Sequence, residues 1–519
     1  MPPGMRVRVG WRATRAGTGT IGDRLRNCIS CQELGWWSTI QSMSRSKTPK
    51  PKTPKTPNHG AKLKGSTANP DHARRTQAPA LQDPEIEDRL QELVQPAVYA
   101  ELGRYQRLGM RNRILSLPVM VSLVLTMMWR NVPSVRTLVR MLREERILWS
   151  APTRVSQPSL SERFLTFPAQ LMAGVFERVM EELPARVVER AEVRPLPPTL
   201  ASVATRFPCI YALDGSTLEA LFRKLGALQQ EPYAPLGGHM VAACDMLSHL
   251  PARVWYADDP ATNDKTLVPA MLDWLSEHRD RELAGSLLCF DLGYFAFTLF
   301  DDLTERHCYF VTRLREKTRY TIHKVLMQRP YVRDCIVQMG LYRSNPCKHS
   351  ARLIEVCIQG EGGKRVWHQY LTNVLDPSIL SVEEVVEVYR NRWCIETAFK
   401  ETKRLLGLSY LWVGSRNGVE LQMWGTWLFY AVLLDLCDDV ATLLRVPMER
   451  ISVEMVYRGL YHYVQALHNG VVDRDVSATT YLAERADWLG IIKQKRKRPP
   501  NVTERVRAAL LVTLLTTHD

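Results

Sequence analysis

From residue 209 to residue 313 the sequence alternates short β-rich runs with helical runs, and this succession constrains the fold more than any other feature. The β-rich runs are short, apolar and bounded by polar or glycine-containing turns, which is typical of buried strands. In chain order we predict strands at residues 209–213, 239–246 and 253–257, a helix at 264–278, a strand at 286–290, a helix at 296–305 and a strand at 308–313. A mixed α/β sheet is therefore expected in the middle of the chain.

This order of elements, with three strands first and then helix, strand, helix and strand, is that of a ribonuclease-H-like sheet. The sequence leaves the pairing of the strands open. We therefore predict an α/β fold whose ribonuclease-H-like catalytic core begins with residues 201–314. Further β-like runs at residues 352–358 and 366–373 predict a β-rich insertion over 315–378. Residues 379–410 are expected to form the final helix of the core.

Apolar residues at helical spacing predict helical regions on both sides of this core, over residues 83–200 and 411–492. The run 114–129 is mostly apolar but shorter than the roughly 20 residues that span a membrane, so a buried helix is expected. Residues 133–145 and 157–164 fit either a DNA-binding helix-turn-helix or two ordinary packed helices. In the first case the exposed recognition side chains would be Ser156, Ser159, Ser161 and Arg163.

Positive charge is concentrated outside the predicted core. The 519-residue chain has a formal net charge of +15, of which residues 1–80 contribute +12. The Pro/Lys tract that starts at Ser46 cannot form a packed core, so residues 1–82 are predicted to be a disordered basic leader. This leader is either an arm that follows DNA or an over-extended start of the reading frame. Residues 493–519 are predicted to be a basic tail with a terminal helix, and the nearly neutral body must supply any specific function.

The cysteines and the common nucleotide and hydrolase motifs exclude several function classes. Eleven scattered cysteines lack the spacing of a disulfide framework, which favours a reducing cytosol. Cys28 and Cys31 form a CxxC pair without a matching second pair, so two free thiols are expected rather than a zinc site. Ser216 lacks a Gly-x-Ser-x-Gly elbow, and the sequence contains no P-loop pattern, so neither a serine hydrolase nor an ATP-driven enzyme is expected.

A long helix is predicted to start at the capping box of Ser381 and to run to residue 406. At 100° per residue, Tyr389, Arg392, Glu396 and Lys403 fall within a single arc of about 60°. An apolar stripe lies directly beside that arc, so the polar row borders the core instead of facing solvent. This placement indicates a groove in which one acid lies among two cations and a phenol.

The spacing Tyr-x2-Arg-x3-Glu-x6-Lys in this helix resembles the signature of bacterial insertion-sequence DDE transposases, in the group called insertion-sequence family four. Two further motifs carry the resemblance, which covers about residues 85–490. They are Asp214-Gly215-Ser216 after the first predicted strand and Asp291-Leu292-Gly293-Tyr294 after the fourth.

The resemblance implies that Asp214, Asp291 and Glu396 are the catalytic residues and the ligands of two Mg²⁺ or Mn²⁺ ions. Clustered carboxylates repel each other, and divalent cations that require oxygen ligands remove this penalty. Two such ions about 3.5–4 Å apart can activate the attacking oxygen and stabilise the leaving oxygen of a phosphoryl displacement. Asp245 is the main rival for a metal position, and the remaining nearby acids are expected at the surface: Asp258, Asp259, Asp301 and Asp302.

The resemblance also assigns DNA contacts. Tyr389, Arg392 and Lys403 would hold phosphates near the cleaved end, with Arg392 best suited to a two-pronged contact. Trp367 is a candidate for stacking on a displaced base, but a core-facing strand aromatic is an equally good interpretation. Arg313 is a further candidate for reaching DNA.

The implied function is that of a transposase which cleaves double-stranded DNA at terminal inverted repeats and transfers the cut strand to target DNA. The resemblance implies a homodimer in the synaptic complex, located in the bacterial cytoplasm at the nucleoid, with no membrane partner. Two other hypotheses stay open: a catalytically silent DNA-binding regulator derived from a transposase, and a ribonuclease-H-like nuclease. The intact set of three acids favours an enzyme over the regulator.

Overall fold

The computed structural model describes residues 82–111, 113–197, 200–218, 238–259, 262–277, 285–359, 365–408, 412, 415–494 and 504–506. The chain divides into two compact units, residues 1–71 and 72–519, and every described residue belongs to the second unit. Residues 1–81 of the predicted leader, with Cys28 and Cys31, and most of the predicted basic tail lie outside the described residues.

Several helices begin where a serine side chain accepts a hydrogen bond from a backbone N–H of the first turn, which satisfies a donor that the helix itself leaves unpaired. Ser134, Ser156, Ser415 and Ser452 act in this way. The helices before the sheet are α1 (Pro84–Ala100), α2 (Leu102–Arg107), α3 (Leu117–Trp129), α4 (Val135–Glu144), α5 (Gln157–Thr166), α6 (Ala169–Ala191) and α7 (Ala201–Ala204). The later helices are α8 (Val268–Glu277), α9 (Phe297–Glu305), α10 (Val382–Asn391), α11 (Trp393–Lys400), α12 (Arg416–Leu444), α13 (Val453–His468), α14 (Ala478–Glu484) and α15 (Ala486–Leu489).

Nine strands form a single sheet in the described part of the chain. They are β1 (Ile210–Thr217), β2 (His239–Asp245), β3 (Pro251–Ala257), β4 (Leu287–Phe290), β5 (Tyr309–Arg313), β6 (Tyr320–Arg329), β7 (Val332–Met339), β8 (Ala351–Gln359) and β9 (Arg365–Thr372). The strand order is β3-β2-β1-β4-β5-β9-β8-β7-β6. The pairs β1–β4 and β4–β5 are parallel, and all other neighbours are antiparallel.

The predicted β-rich insertion continues the central sheet. Its last strand, β9, pairs with β5 through Val311 and Thr372, and β8, β7 and β6 extend the sheet outward from there. The backbone groups along the free edge of β5 are thereby satisfied by the insertion.

Alternate side chains of the central strands enter two different cores, as the two-residue period of a strand requires. Ala212, Cys289 and Val311 belong to one core, which also contains the buried faces of α10, α11 and α12. Leu213 and Phe290 belong to the second core, which lies under α8 and α9. The sheet is therefore covered on both faces, and the first face is the one that meets the helix predicted to carry Glu396.

Ion pairs with little exposure to water join the helices before the sheet to α12. Asp435 is 1% exposed and lies 2.5 Å from Arg89 of α1, 2.6 Å from Arg190 of α6 and 3.2 Å from Arg186 of α6. Burial opposes ionisation of this carboxyl, but the surrounding arginines hold the pKa of Asp435 below its usual value. The helical segments at the two ends of the described chain therefore pack as one bundle.

We expect Asp435→Ala to lower the free energy of unfolding by about 3–5 kcal/mol, because it leaves several guanidinium groups without their shared buried partner. The measurement is urea unfolding at pH 7. The control is Glu454→Gln, which alters the exposed Arg458–Glu454 pair of 2.6 Å and should cost no more than about 0.5 kcal/mol. A cost for Asp435→Ala as small as that of the control would contradict the role of this network.

Two expectations about exposed side chains are wrong. Arg163 is half-buried and donates hydrogen bonds to the Tyr105 hydroxyl at 3.0 Å and to the Leu115 carbonyl at 3.2 Å, so it is not presented as a recognition residue. Asp301 is buried and accepts hydrogen bonds from the backbone N–H groups of Lys348 and His349. Its carboxylate thus holds the β7–β8 connection onto α9.

The apolar run of residues 114–129 forms α3, whose side chains are buried almost throughout. Across the described ranges no helix combines the length and apolar character needed to cross a membrane.

Candidate active site

Asp214 and Asp291 lie side by side at the edge of the sheet. The last parallel pair of β1 and β4 joins Leu213 to Phe290, so the two aspartates are the next residues on neighbouring strands. Paired strands run about 4.8 Å apart. Side chains two residues apart on a strand point to the same face of the sheet. Asp214 and Asp291 each follow a residue of the first core, Ala212 and Cys289, by two positions, so both carboxyls point to the face covered by α10 and α11.

The Asp-Gly-Ser motif lies inside β1, whereas the sequence predicted that it follows the strand. β1 continues to Thr217 because β2 still pairs with it, joining Asp214 to Ala242 and Thr217 to His239. β4 has already ended at Phe290. Asp214 therefore sits where β1 loses its parallel neighbour and keeps only its antiparallel one.

The predicted continuous helix from Ser381 to residue 406 is broken in two places, so the expectation of one uninterrupted helix at 100° per residue is wrong. α10 ends at Asn391, Arg392 forms the junction, and α11 carries Glu396. A π-helical turn, Glu401–Leu405, then carries Lys403. The capping box at Ser381 is present, and Gly407 ends the helical segment with a φ of +78° that glycine adopts without strain.

Arg392 joins two of the three predicted catalytic acids. Its guanidinium lies 2.9 Å from Asp214 Oδ2 and 2.6 Å from Glu396 Oε1. The arginine side chain is 9% exposed, the Asp214 side chain 14% and the Glu396 side chain 32%. The fold therefore brings Asp214 and Glu396, which are far apart in the chain, to the same cation.

Burial raises the pKa of Asp214 to about 7. The positive charge of Arg392 opposes this shift, while the neighbouring Asp291 and Glu396 add to it. The charges of Asp291 and Glu396 therefore act on the Asp214 carboxyl, as expected for like charges near a buried acid. Asp291 itself is fixed by a 2.7 Å hydrogen bond that it accepts from the Gly293 N–H.

Aromatic contacts connect two of the predicted phosphate-binding residues to Arg392. The Tyr389 ring lies 5.9 Å from the Arg392 guanidinium and contacts the Tyr370 ring edge-on at 5.5 Å, and Arg313 lies 5.9 Å from the centre of the Tyr370 ring. Burial raises the pKa of Tyr389 to about 12, so its hydroxyl stays protonated at neutral pH.

Lys403 approaches the site from the π-helical turn. Its Nζ donates hydrogen bonds to Ser216 Oγ at 2.5 Å and to the Thr217 carbonyl at 2.7 Å. The lysine therefore lies beside the strand that carries Asp214, two residues beyond that acid.

Trp367 lies on β9, where it is 49% exposed, so the alternative of a core-facing aromatic is wrong. It is three residues from Tyr370, which places the two side chains on opposite faces of the strand. The described contacts do not link Trp367 to the three acids, and its role in base stacking stays a prediction.

Asp245, the rival for a metal position, pairs with the start of β1, away from Asp214. It pairs with Tyr211, three residues along β1 from Asp214, and accepts hydrogen bonds from the Leu247 and Ser248 N–H groups. It therefore stabilises the turn between β2 and β3.

Two residues of the site were missed by sequence reasoning. They are Asp264 and His239, whose Oδ1 and Nε2 atoms lie 2.6 Å apart. Both side chains pack against Gly215, and Asp264 also packs against Gly293. The sequence offered one signal, namely a glycine next to Asp214 and another two residues after Asp291, because a glycine in a strand often marks a close approach by another group.

The donor set of the site is chemically suited to Mg²⁺ or Mn²⁺, which prefer carboxylate oxygens. In the arrangement described, the Arg392 guanidinium lies between Asp214 and Glu396. Within the described ranges no three His, Cys, Asp or Glu side chains are clustered closely enough to hold a metal ion. Arg392 therefore occupies one oxygen of each of these two carboxylates, and an ion bound at those two oxygens would have to displace it.

Residues 205–432 match the family described as the transposase DDE domain. The chain is also 24% identical over 174 residues to a probable transposase for insertion sequence element IS5377 from Geobacillus stearothermophilus. That match covers 33% of this chain and 44% of the relative, so it spans less than half of the relative's length. The structure is also similar, with 13% identity and a TM-score of 0.32, to a piggyBac transposase in a synaptic complex with hairpin DNA, over 83% of this chain and 86% of that chain.

Proposed function

We propose that the protein is a DDE transposase of an insertion element, which cleaves DNA at the element's ends and transfers the freed strand to target DNA. The observation that carries the proposal is the contact of Arg392 with both Asp214 and Glu396, with Asp291 on the strand next to Asp214, inside the segment that matches the transposase DDE domain. The Tyr-Arg-Glu-Lys spacing supports membership of insertion-sequence family four.

The strand order supports a ribonuclease-H-like core. Three antiparallel strands, β1 to β3, are followed by the parallel additions β4 and β5, and α11 lies against the face of β1. This arrangement brings two strand-borne acids and one helix-borne acid to the same sheet edge. Under this proposal, residues 83–200 recognise the DNA ends, and residues 411–492 contribute to pairing of two protomers.

Asp214, Asp291 and Glu396 would hold two Mg²⁺ or Mn²⁺ ions. When bound, such ions supply activation of the attacking oxygen and stabilisation of the leaving oxygen in phosphoryl displacement. The protein's own contribution is to hold the three acids in one partly buried region, where electrostatic interactions are stronger than in water. The raised pKa of Asp214 means that this carboxyl must lose its proton before it can act as a ligand.

Tyr389, Arg392, Lys403 and Arg313 would hold the DNA near the cleaved phosphate. Three of them carry positive charge, and all four lie on the side of the sheet that carries the acids or directly beside it. A cationic rim of this kind attracts a polyanion in a salt-dependent way. Trp367 would stack on a displaced base from the more distant end of β9.

The test is nicking of a labelled duplex that carries the inverted repeat flanking the reading frame. We expect nicks that leave a 3′-hydroxyl, that require Mg²⁺ and that EDTA abolishes. A scrambled duplex of equal length distinguishes a transposase from a general nuclease, because only the nuclease cuts both. Specific binding without Mg²⁺-dependent cleavage would instead support the catalytically silent regulator.

A further inference from the structure

Asp264, which is half-buried, and His239, which is buried, form a pair on the side of the sheet opposite to Glu396. Asp264 opens the short 3-10 turn, Asp264–Leu267, that leads into α8, and His239 begins β2. His239 is 6% exposed, and its second ring nitrogen, Nδ1, lies 3.3 Å from Thr217 Oγ1. The pair is thus tied to the end of the strand that carries Asp214.

The same pair contacts the backbone next to both catalytic aspartates. A side-chain carbon at Gly215, the neighbour of Asp214, would collide with Asp264 Oδ1 and lie 2.8 Å from His239 Nε2. A carbon at Gly293, whose N–H binds Asp291, would lie 3.2 Å from Asp264 Oδ2. One carboxylate therefore packs between the two segments that present the acids.

The local backbone explains why such a support is needed. β1 and β4 share no strand pairing beyond Leu213 and Phe290, so the hydrogen bonds between these two strands end just before the two aspartates. Two carboxylates placed side by side repel each other, and the backbone that carries them must resist that repulsion. The spacing of the acids then depends on side chains packed beneath them.

We propose that Asp264 and His239 are positioning residues that fix Asp214 and Asp291 relative to each other for binding of divalent ions. This inference rests on the proposed function, because it assumes that the two aspartates are metal ligands. Asp264 acts through the backbone of Gly215 and Gly293 and does not itself hold the ion.

The experiment measures Mn²⁺ binding to the full chain by electron paramagnetic resonance, without DNA. Asp264→Ala should weaken Mn²⁺ binding about tenfold, the lower end of the range for supporting residues around metal ligands. Asp264→Asn keeps the shape and an oxygen that can accept from His239, so its binding should stay within about threefold of wild type. The matched control is Asp273→Ala, an exposed aspartate on α8, which should leave binding unchanged.

Two results would overturn the proposal. One is wild-type Mn²⁺ affinity in Asp264→Ala. The other is an equal loss in Asp264→Asn and Asp264→Ala, which would make Asp264 a ligand rather than a positioning residue. Thermal melting of each variant in EDTA separates a change at the site from general unfolding.

A double-mutant cycle tests the contact from the strand side. Gly215→Ala introduces the carbon that collides with Asp264, so it should also weaken Mn²⁺ binding about tenfold. In the double variant, Asp264→Ala removes the collision with the carboxylate and leaves only the 2.8 Å approach to the His239 ring, so the total loss should stay near that of one single variant. Losses that multiply to about a hundredfold would refute the coupling.

Failure of the positioning role can be distinguished from failure of the proposed function. If wild type binds Mn²⁺ and the variants behave as expected, but no DNA is nicked, the positioning role stands and the transposase proposal fails. If DNA is nicked and Asp264→Ala binds Mn²⁺ normally, the positioning role fails alone.

Discussion

Replacing Glu396 by glutamine is expected to reduce Mg²⁺-dependent nicking at least about a thousandfold, equivalent to about 4 kcal/mol of transition-state stabilisation. Glutamine keeps the shape of the side chain but removes the negative charge, and a neutral amide is a poor replacement for a carboxylate ligand of Mg²⁺. The measurement is single-turnover nicking of the labelled terminal duplex.

The folded structure should tolerate this change. Glu396 is 32% exposed, and a glutamine oxygen can still accept the hydrogen bond from Arg392. The melting temperature of Glu396→Gln is therefore expected to stay close to that of wild type.

A matched control is Glu401→Gln, five residues later in the same helical segment. The Glu401 carboxylate accepts a hydrogen bond of 2.8 Å from the Tyr430 hydroxyl and is not among the acids grouped around Arg392. This variant should nick DNA within about twofold of wild type. Equal activity of Glu396→Gln and Glu401→Gln would remove Glu396 from the catalytic set.

Replacing Arg392 by methionine is expected to lower the free energy of unfolding by about 3–5 kcal/mol at pH 8 in EDTA. The guanidinium is the shared partner of Asp214 and Glu396, and removing it leaves the largely buried Asp214 carboxylate without its cation. Arg392→Lys should fall between wild type and Arg392→Met, because an ammonium restores the charge without the two-pronged geometry.

The deficit should shrink as the pH falls from 8 to 5. The pKa of Asp214 is raised to about 7 in the folded protein, and loss of Arg392 moves it higher. Both folded-state pKa values lie above that of the unfolded chain, so ionisation of Asp214 costs stability in both proteins, but wild type bears the full cost from about pH 7 and the variant's cost keeps growing to its higher pKa. The difference in stability between the two proteins therefore builds up above about pH 7, and below about pH 6 both folded proteins hold this proton and the Asp214 share of the deficit is absent. Urea unfolding at both pH values measures the change.

The control for this series is Arg404→Met, which removes an exposed arginine of the π-helical turn and should change the free energy of unfolding by no more than about 0.5 kcal/mol. Divalent ions provide a second check. Mg²⁺ or Ca²⁺ at the acids replaces the missing charge, so added ion should stabilise Arg392→Met more than wild type. An equal or smaller shift would contradict competition between Arg392 and the ion.

Part of the site can be predicted from the sequence, because the patterns that indicate it involve only neighbouring residues. The Arg392–Glu396 contact spans four residues within one helical segment, so the 3.6-residue period predicts it even though the helix is interrupted at Arg392. The capping box at Ser381 and the glycine at position 407 are likewise readable from a few neighbouring residues. The interruption itself was missed, because no proline or glycine marks it in the sequence.

The sequence by itself determined the alternation of strands and helices in the core, the acids Asp214, Asp291 and Glu396 as candidates, and the charge asymmetry between leader and body. Tertiary structure alone decided that the β-rich insertion extends the central sheet and that Asp264 pairs with His239 beneath the aspartates. It also brought Arg392 to Asp214 across 178 residues of chain. The physical reason is range: side-chain periods and caps act within a few residues, whereas strand pairing and close packing depend on contacts that no short window contains.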